Sequence, residues 1–226
     1  MTHHDTSQGS TLAGRLVRGG SSAVGTALSA TIRTVAALRP ESKPLHPDGA
    51  VVTATLERRG STEPAGAAWV DEPGRDEVVV RLSRAIGLPD ALPDIHGLAM
   101  RVPTPAGVGD LLFASTGWSQ LGRFVLTFGS GPESRPLTTL LPYRTAEGPL
   151  LLGVRAIGPQ AYEMSWCRPR GKWRSFAELW LSDDEAPDRS ISFDPVRNQL
   201  PGLTQYAWVR RLREPSYRTA RKSRRS

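Results

Sequence analysis

The stretch AVVTATLER, residues 50–58, alternates with period two. Val51, Thr53, Thr55 and Glu57 fall on one side of an extended chain, and Val52, Ala54, Leu56 and Arg58 on the other. The second side is apolar as far as Arg58, so one face of this strand demands burial. Seven further runs rich in β-branched and aromatic residues come after it, separated by turn signals: EVVVRLS (77–83), GLAMRV (97–102), DLLFAS (110–115), RFVLTF (123–128), LLLGVRAI (150–157), YEMSW (162–166) and SFAELWLS (175–182). Eight such runs without helical stretches between them predict a mainly β-protein, either a closed antiparallel barrel or a sandwich.

Upstream the pattern is different. Leu28, Ile32, Val35 and Leu38 have helical spacing, weakened by Gly19, Gly20 and Gly25, and RPESKPLHPDG (39–49) then breaks any helix at Pro40, Pro44 and Pro47. The chain is therefore divided into a partly helical N-terminal arm, 1–42, and a barrel domain, 43–226. At 226 residues with one cysteine, Cys167, it can bury a sizeable core but form no internal disulfide, and multi-cysteine zinc and iron–sulfur patterns are excluded. Cys167 reads as a small buried apolar residue. The opening MTHHDTSQGS lacks the charged start and apolar run of a secretion signal, and Arg15, Arg18 and Arg33 interrupt the Ala/Gly/Ser-rich segment after it. The expectation is a soluble cytoplasmic protein without a membrane partner.

The net charge of +7 has one source: eight basic residues against Glu214 between Arg210 and Ser226. Within that segment, REPSYRTARKSRRS (213–226) sets Tyr217 among arginines. One reading is a solvated basic tail that binds nucleic acid. The other starts from acidity. A phenol with a pKa of about 10 costs roughly 4 kcal/mol to ionise at pH 7, and neighbouring cations or a ferric ion lower that cost. Pro215 suits the first turn of a helix, on which Tyr217, Arg221 and Arg224 share a face.

The spacing from Arg213 to Tyr217 to Arg224 resembles the proximal haem-ligand segment of the catalase family. Other segments resemble that family in the same order from about residue 43 onward: LHPDGAVVTATLE around His46, VVVRLSRAIG with Arg81 and Ser83, LPDIHGLAMRV followed by GDLLFAS, and ISFDPVRNQLPGL before the tyrosine. The resemblance implies a catalase-like, closed eight-stranded barrel with a short C-terminal helix, haem b as the iron cofactor, and a peroxide as the small-molecule substrate. It implies Tyr217 as the iron ligand, with Arg213 and Arg224 keeping its oxygen ionised. Lys43 and Arg81 are implied as partners of the haem propionates, His46 as the distal acid–base, and Ser83 as the group that orients His46.

The pattern departs from the family at two places. Ala114 or Ser115 stands where a distal asparagine is usual, and Lys43 where arginine is usual. A haem-dependent peroxidase or a degenerate haem binder is thus expected rather than rapid hydrogen peroxide disproportionation. Nucleic-acid binding is set aside, and a homo-oligomer stays open. Two rival classes remain: a barrel that binds an apolar ligand or a partner without haem, and a metal-dependent phosphodiesterase built on Asp94-x-His96 and Gly109-Asp110. The rival hydrolase lacks a Gly-Asn-His block, and no histidine occurs after His96.

Overall fold

The computed structural model describes residues 50–84, 92–186 and 191–222. Its first strand, β1 (Val51–Arg58), pairs antiparallel with β2 (Gly74–Arg84) on one side and with β9 (Arg174–Glu185) on the other. From β2 the ladder continues through β3 (His96–Thr104), β4 (Gly107–Ser115), the two-residue β5 (Leu137–Thr138) and β7 (Gly148–Gly158). It then passes through β8 (Ala161–Cys167) back to β9. Every pairing is antiparallel and the ring closes, giving an eight-stranded barrel in which none of these strands is left as an open edge. Two short strands, β6 (Tyr143–Thr145) and β10 (Thr204–Gln205), extend one end of β7, and a single turn of helix, α1 (Ala68–Asp71), links β1 to β2.

Alternation along the strands divides inside from outside. Val80, Met100 and Leu111 are directly opposite one another on β2, β3 and β4 and are buried in the barrel interior, as are Leu98 and Phe113 one rung on. Ala54 and Leu56 of β1 join this core and Val52 packs against it, so the apolar side of AVVTATLER is the buried one. Arg58, at the end of that side, donates through Nε to Asp76 Oδ2 at 2.8 Å.

Seven of the eight apolar runs become barrel strands. RFVLTF does not: it forms a 3₁₀ turn at Gly122–Phe124 and a loop, and Leu137–Thr138 takes the remaining place in the ring. The physical reason lies in Arg123. Its buried guanidinium donates to Ser119 O, to Cys167 Sγ at 2.7 Å, and to the carbonyls of Arg168 and Gly171, and it stacks on Trp173. These bonds hold the segment in a turn against Cys167, and beyond it Leu126 makes an isolated bridge to Thr116. Cys167 is buried, and burial pushes its thiol up to about 12 against the opposing pull of Arg123.

The segment TQYAWVRRL (204–212) is split between two elements. Thr204–Gln205 is strand, and Ala207 begins α2 (Ala207–Lys222). Pro215 therefore lies in the interior of that helix and not in its first turn, where it withholds the N–H that the Arg211 carbonyl would otherwise accept. No helix among the described residues is long and apolar enough to cross a membrane. The arm 1–42, together with Lys43, His46 and Arg224, lies outside the described residues.

These buried acids predict alkaline weakening. Between the ordinary thiol value near 8.5 and about 12, folded Cys167 keeps a proton that the unfolded chain releases, so stability falls as pH rises through that window. Tyr162, also pushed up to about 12 by burial, adds a second decline above about pH 10. Urea unfolding between pH 8 and 11 should show the midpoint dropping, and Cys167→Ser should delay the onset of the drop to the tyrosine range.

Candidate functional site

Helix α2 packs on the outside of the barrel. Its Val209 forms a small apolar cluster with Leu140 and Leu141, against which Ala114, Tyr206 and Leu212 also pack. Arg213 and Tyr217 are one turn apart and so share a helix face. Both line a cavity of about 190 Å³, whose other walls include Leu112 and Ala114 of β4 with Leu140 and Leu141. A tyrosine and an arginine thus line a largely apolar space to which Thr138 and Thr139 also contribute.

The wall opposite α2 belongs to a wider surface. Across three strands the outward-facing residues fall into two rungs, Arg81–Ala99–Leu112 and Ser83–Gly97–Ala114. With about 4.8 Å between strands, Arg81 and Ser83 stand roughly 10 Å from the cavity wall, on the same outer face. The middle of this shelf carries only small groups. At Gly97 a Cβ would come 2.9 Å from Ser83 Oγ, so the glycine leaves that hydroxyl its room. The described chain enters at the same place, because Ala50 accepts from Leu82 N and Val51 is opposite Arg81.

Arg81 is already engaged. Its Nη2 donates to Ile191 O at 2.6 Å, and its guanidinium lies 5.4 Å from the ring centroid of Phe193. Arg101 approaches the same ring at 5.3 Å. Phe193 begins the Phe-Asp-Pro loop that leads to α2, and the loop is anchored at Asp110. This fully buried carboxylate takes a two-pronged ion pair from Arg101, with both N–O distances 2.7 Å. Its Oδ2 also accepts from Asp194 N and Asn198 Nδ2, each at 2.7 Å. Asp110 N in turn donates to Asn198 O. At the neighbouring Gly109 a Cβ would come 2.5 Å from Leu200 Cγ, so only glycine allows the loop to lie this close.

Of the two residues that could occupy the distal-asparagine position, Ala114 lines the cavity. The Ser115 hydroxyl is consumed elsewhere, donating to Thr127 O at 2.6 Å and accepting from His96 N. The cavity's Thr138 hydroxyl donates to Arg123 O.

The hydrolase blocks do not converge. His96 is buried with Nε2 donating to Gly129 O, and Asp94 is paired with Arg84 at 3.6 Å. Asp110 lies opposite Arg101, five residues along β3 from His96, or about 16 Å at the strand rise of ~3.3 Å per residue. Two-metal chemistry needs ions about 4 Å apart, so among the described residues these two blocks do not form one two-metal site. Among the described residues no group of three or more His, Cys, Asp or Glu side chains could hold a metal ion.

The structure thus brings Arg213 and Tyr217 together at one cavity and sets Arg81 and Ser83 on the shelf that extends from it. Sequence reasoning missed Arg101 and Phe193 as neighbours of this site. Arg101 could have been found, since the length of the turn between GLAMRV and GDLLFAS fixes it opposite Asp110.

No family model and no curated protein matches the chain. Solved structures do. A fungal catalase superimposes with a TM-score of 0.54 at 10% identity, covering 75% of this chain and 56% of that one. Catalase A from Saccharomyces cerevisiae superimposes with a TM-score of 0.51 at 9% identity, covering 78% of this chain and 61% of that one. The chain therefore spans little more than half the length of these structural neighbours, and the likeness establishes a catalase-like barrel fold.

Asp110→Ala should remove the carboxylate that pairs with Arg101 and release the loop before α2. The expected loss is about 3 kcal/mol, the low end for breaking a buried ion pair, because Arg101 retains some solvent. Chemical denaturation monitored by tryptophan fluorescence measures it.

Proposed function

We propose that this chain is a haem-binding, catalase-like protein that acts as a haem-dependent peroxidase on hydrogen peroxide or an organic hydroperoxide. The observation that carries the reading is the pair Arg213 and Tyr217, both lining an apolar cavity whose far wall continues into the small-residue shelf of β3 and β4. The donor set fits the group in kind: a phenol suits a ferric centre, a guanidinium favours the phenol's anionic form, and the small residues Gly97, Ala99 and Ala114 leave room above the strands. Ferric haem, when bound, would supply the redox centre that a peroxide oxidises.

The chain's own residues divide the remaining work. Tyr217 would hold the iron, with Arg213 and Arg224 favouring the anionic form of its oxygen. Arg81 and Lys43 would meet the acidic side groups of the cofactor, Arg81 while braced by Ile191 O and Phe193. His46 would move the peroxide proton, and Ser83 would orient it. The methyl of Ala114 and the committed hydroxyl of Ser115 provide no second group to polarise peroxide. This favours peroxidase turnover over rapid disproportionation.

A second reading is a barrel that holds an apolar ligand or a partner without haem. At about 190 Å³ the cavity is smaller than the clefts of roughly 300–1,000 Å³ that enclose whole small-molecule ligands, so what it encloses by itself is a group smaller than a whole ligand of that class.

An absorbance spectrum of protein purified with haem supplied, and of apoprotein after reconstitution, separates the two. The peroxidase reading expects a Soret band at one haem per chain and peroxide-dependent oxidation of a chromogenic donor. Tyr217→Phe should weaken haem binding more than tenfold. Failure to take up haem on reconstitution would sink this reading and leave the apolar-ligand barrel.

A further inference from the structure

Among the described residues eight large apolar side chains are exposed, and three of them, Leu121, Val125 and Phe128, fall together in the loop after β4. Single exposed apolar residues are ordinary, but several at one place mark a surface that something covers. That loop lies against α2, because Leu126 packs with Leu212 on the cluster of Leu140, Leu141 and Val209. Trp208, a fourth exposed apolar side chain, is one turn before Leu212 and shares its side of the helix.

Cations frame these side chains. Exposed Arg135 donates through Nε to Phe128 O at 3.2 Å, and exposed Arg210 and Arg211 follow Trp208 on α2. Of the acids on the same elements, Glu133 is turned toward the β7–β8 turn, where its Oε1 accepts from Gln160 N at 3.4 Å. Glu214 stands against eight basic residues between Arg210 and Ser226.

We propose that this face, α2 with the loop 121–128, docks on an anionic lipid surface. Its two components suit the two layers of such a surface: guanidiniums meet the phosphates of the headgroups, and aliphatic and aromatic side chains enter the boundary with the acyl chains. A nucleic acid would use the cations but would leave Leu121 and Val125 without an apolar contact. The expectation of no membrane partner rested on the lack of a spanning segment, which a peripheral contact does not need. The cavity lies at the edge of the same face, since Leu140, Leu141 and Leu212 belong both to its walls and to the cluster that seats α2. Docking of this kind does not depend on whether haem is bound.

Cosedimentation of the 226-residue chain with lipid vesicles is the test. The chain should bind vesicles of mixed phosphatidylglycerol and phosphatidylcholine, release them as salt is raised, and leave pure phosphatidylcholine vesicles unbound. Arg210→Gln and Arg211→Gln should each weaken binding about fivefold, the effect of one charge near the surface. Phe128→Ser and Val125→Ser should each weaken it about tenfold at equal net charge, the worth of burying one such side chain. Both side chains are exposed, so neither change should lower the thermal midpoint. Failure to bind the anionic vesicles would overturn the proposal, whether the chain instead takes up a short DNA duplex or forms a dimer that covers the loop. Vesicle binding undiminished in both Phe128→Ser and Val125→Ser would overturn it equally, because a basic tail adsorbing by charge alone gives that result.

Discussion

The geometry of the candidate site depends on one buried carboxylate. Asp110 would be costly to bury alone, and Arg101 on the adjacent strand offsets that cost with a paired, two-pronged contact. The remaining acceptor capacity of Asp110 is spent on the backbone of Asp194 and the side chain of Asn198, so the loop after β9 is fastened to the outside of the barrel. Arg101 Nη2 adds a bond to Ser192 O, and Phe193 lies against the guanidiniums of both Arg101 and Arg81. Where the loop is fixed, β10 and α2 come within a few residues. The placement of Arg213 and Tyr217 is thus inherited from an ion pair well removed from them in sequence.

The barrel contributes its outer surface. Since side chains alternate along each strand, the packing that puts Val80, Met100 and Leu111 inside also puts Arg81, Ala99 and Leu112 outside. A shift of one residue in register would exchange the two sets and destroy the core and the shelf together. Small residues at Gly97, Ala99 and Ala114 keep the shelf low, and α2 closes over one side of it through Val209 and Leu212. The stacked pair Trp118 and Trp173 sits over Gly153, where a Cβ would come 2.8 Å from either indole, and so belongs to packing on the far side of Thr138.

Much of this was legible in the chain itself. Period-two alternation identified seven barrel strands, and the order of the segments around Arg81, Asp110 and Tyr217 pointed to the right fold. What misled was hydrophobicity without context. RFVLTF has strand composition, but its arginine is drawn into a buried cluster of carbonyls and a thiol, while Leu137–Thr138 is too short to show any period. Pro215 looked like a helix start because local rules cannot see that Val209 and Leu212, docked on Leu140 and Leu141, already fix the helix upstream. The pairing of Tyr143 with Gln205 was invisible for a related reason: it joins segments some sixty residues apart, and no local pattern marks it.

The central claim is that the Tyr217 oxygen faces the cavity as an anionic ligand for ferric iron. Resonance Raman spectroscopy of haem-loaded protein, prepared with natural and with ring-deuterated tyrosine, tests it most directly. The account predicts iron-bound phenolate bands that shift with the isotope and vanish in Tyr217→Phe. Isotope-insensitive spectra, or phenolate bands that persist in that variant, would contradict it.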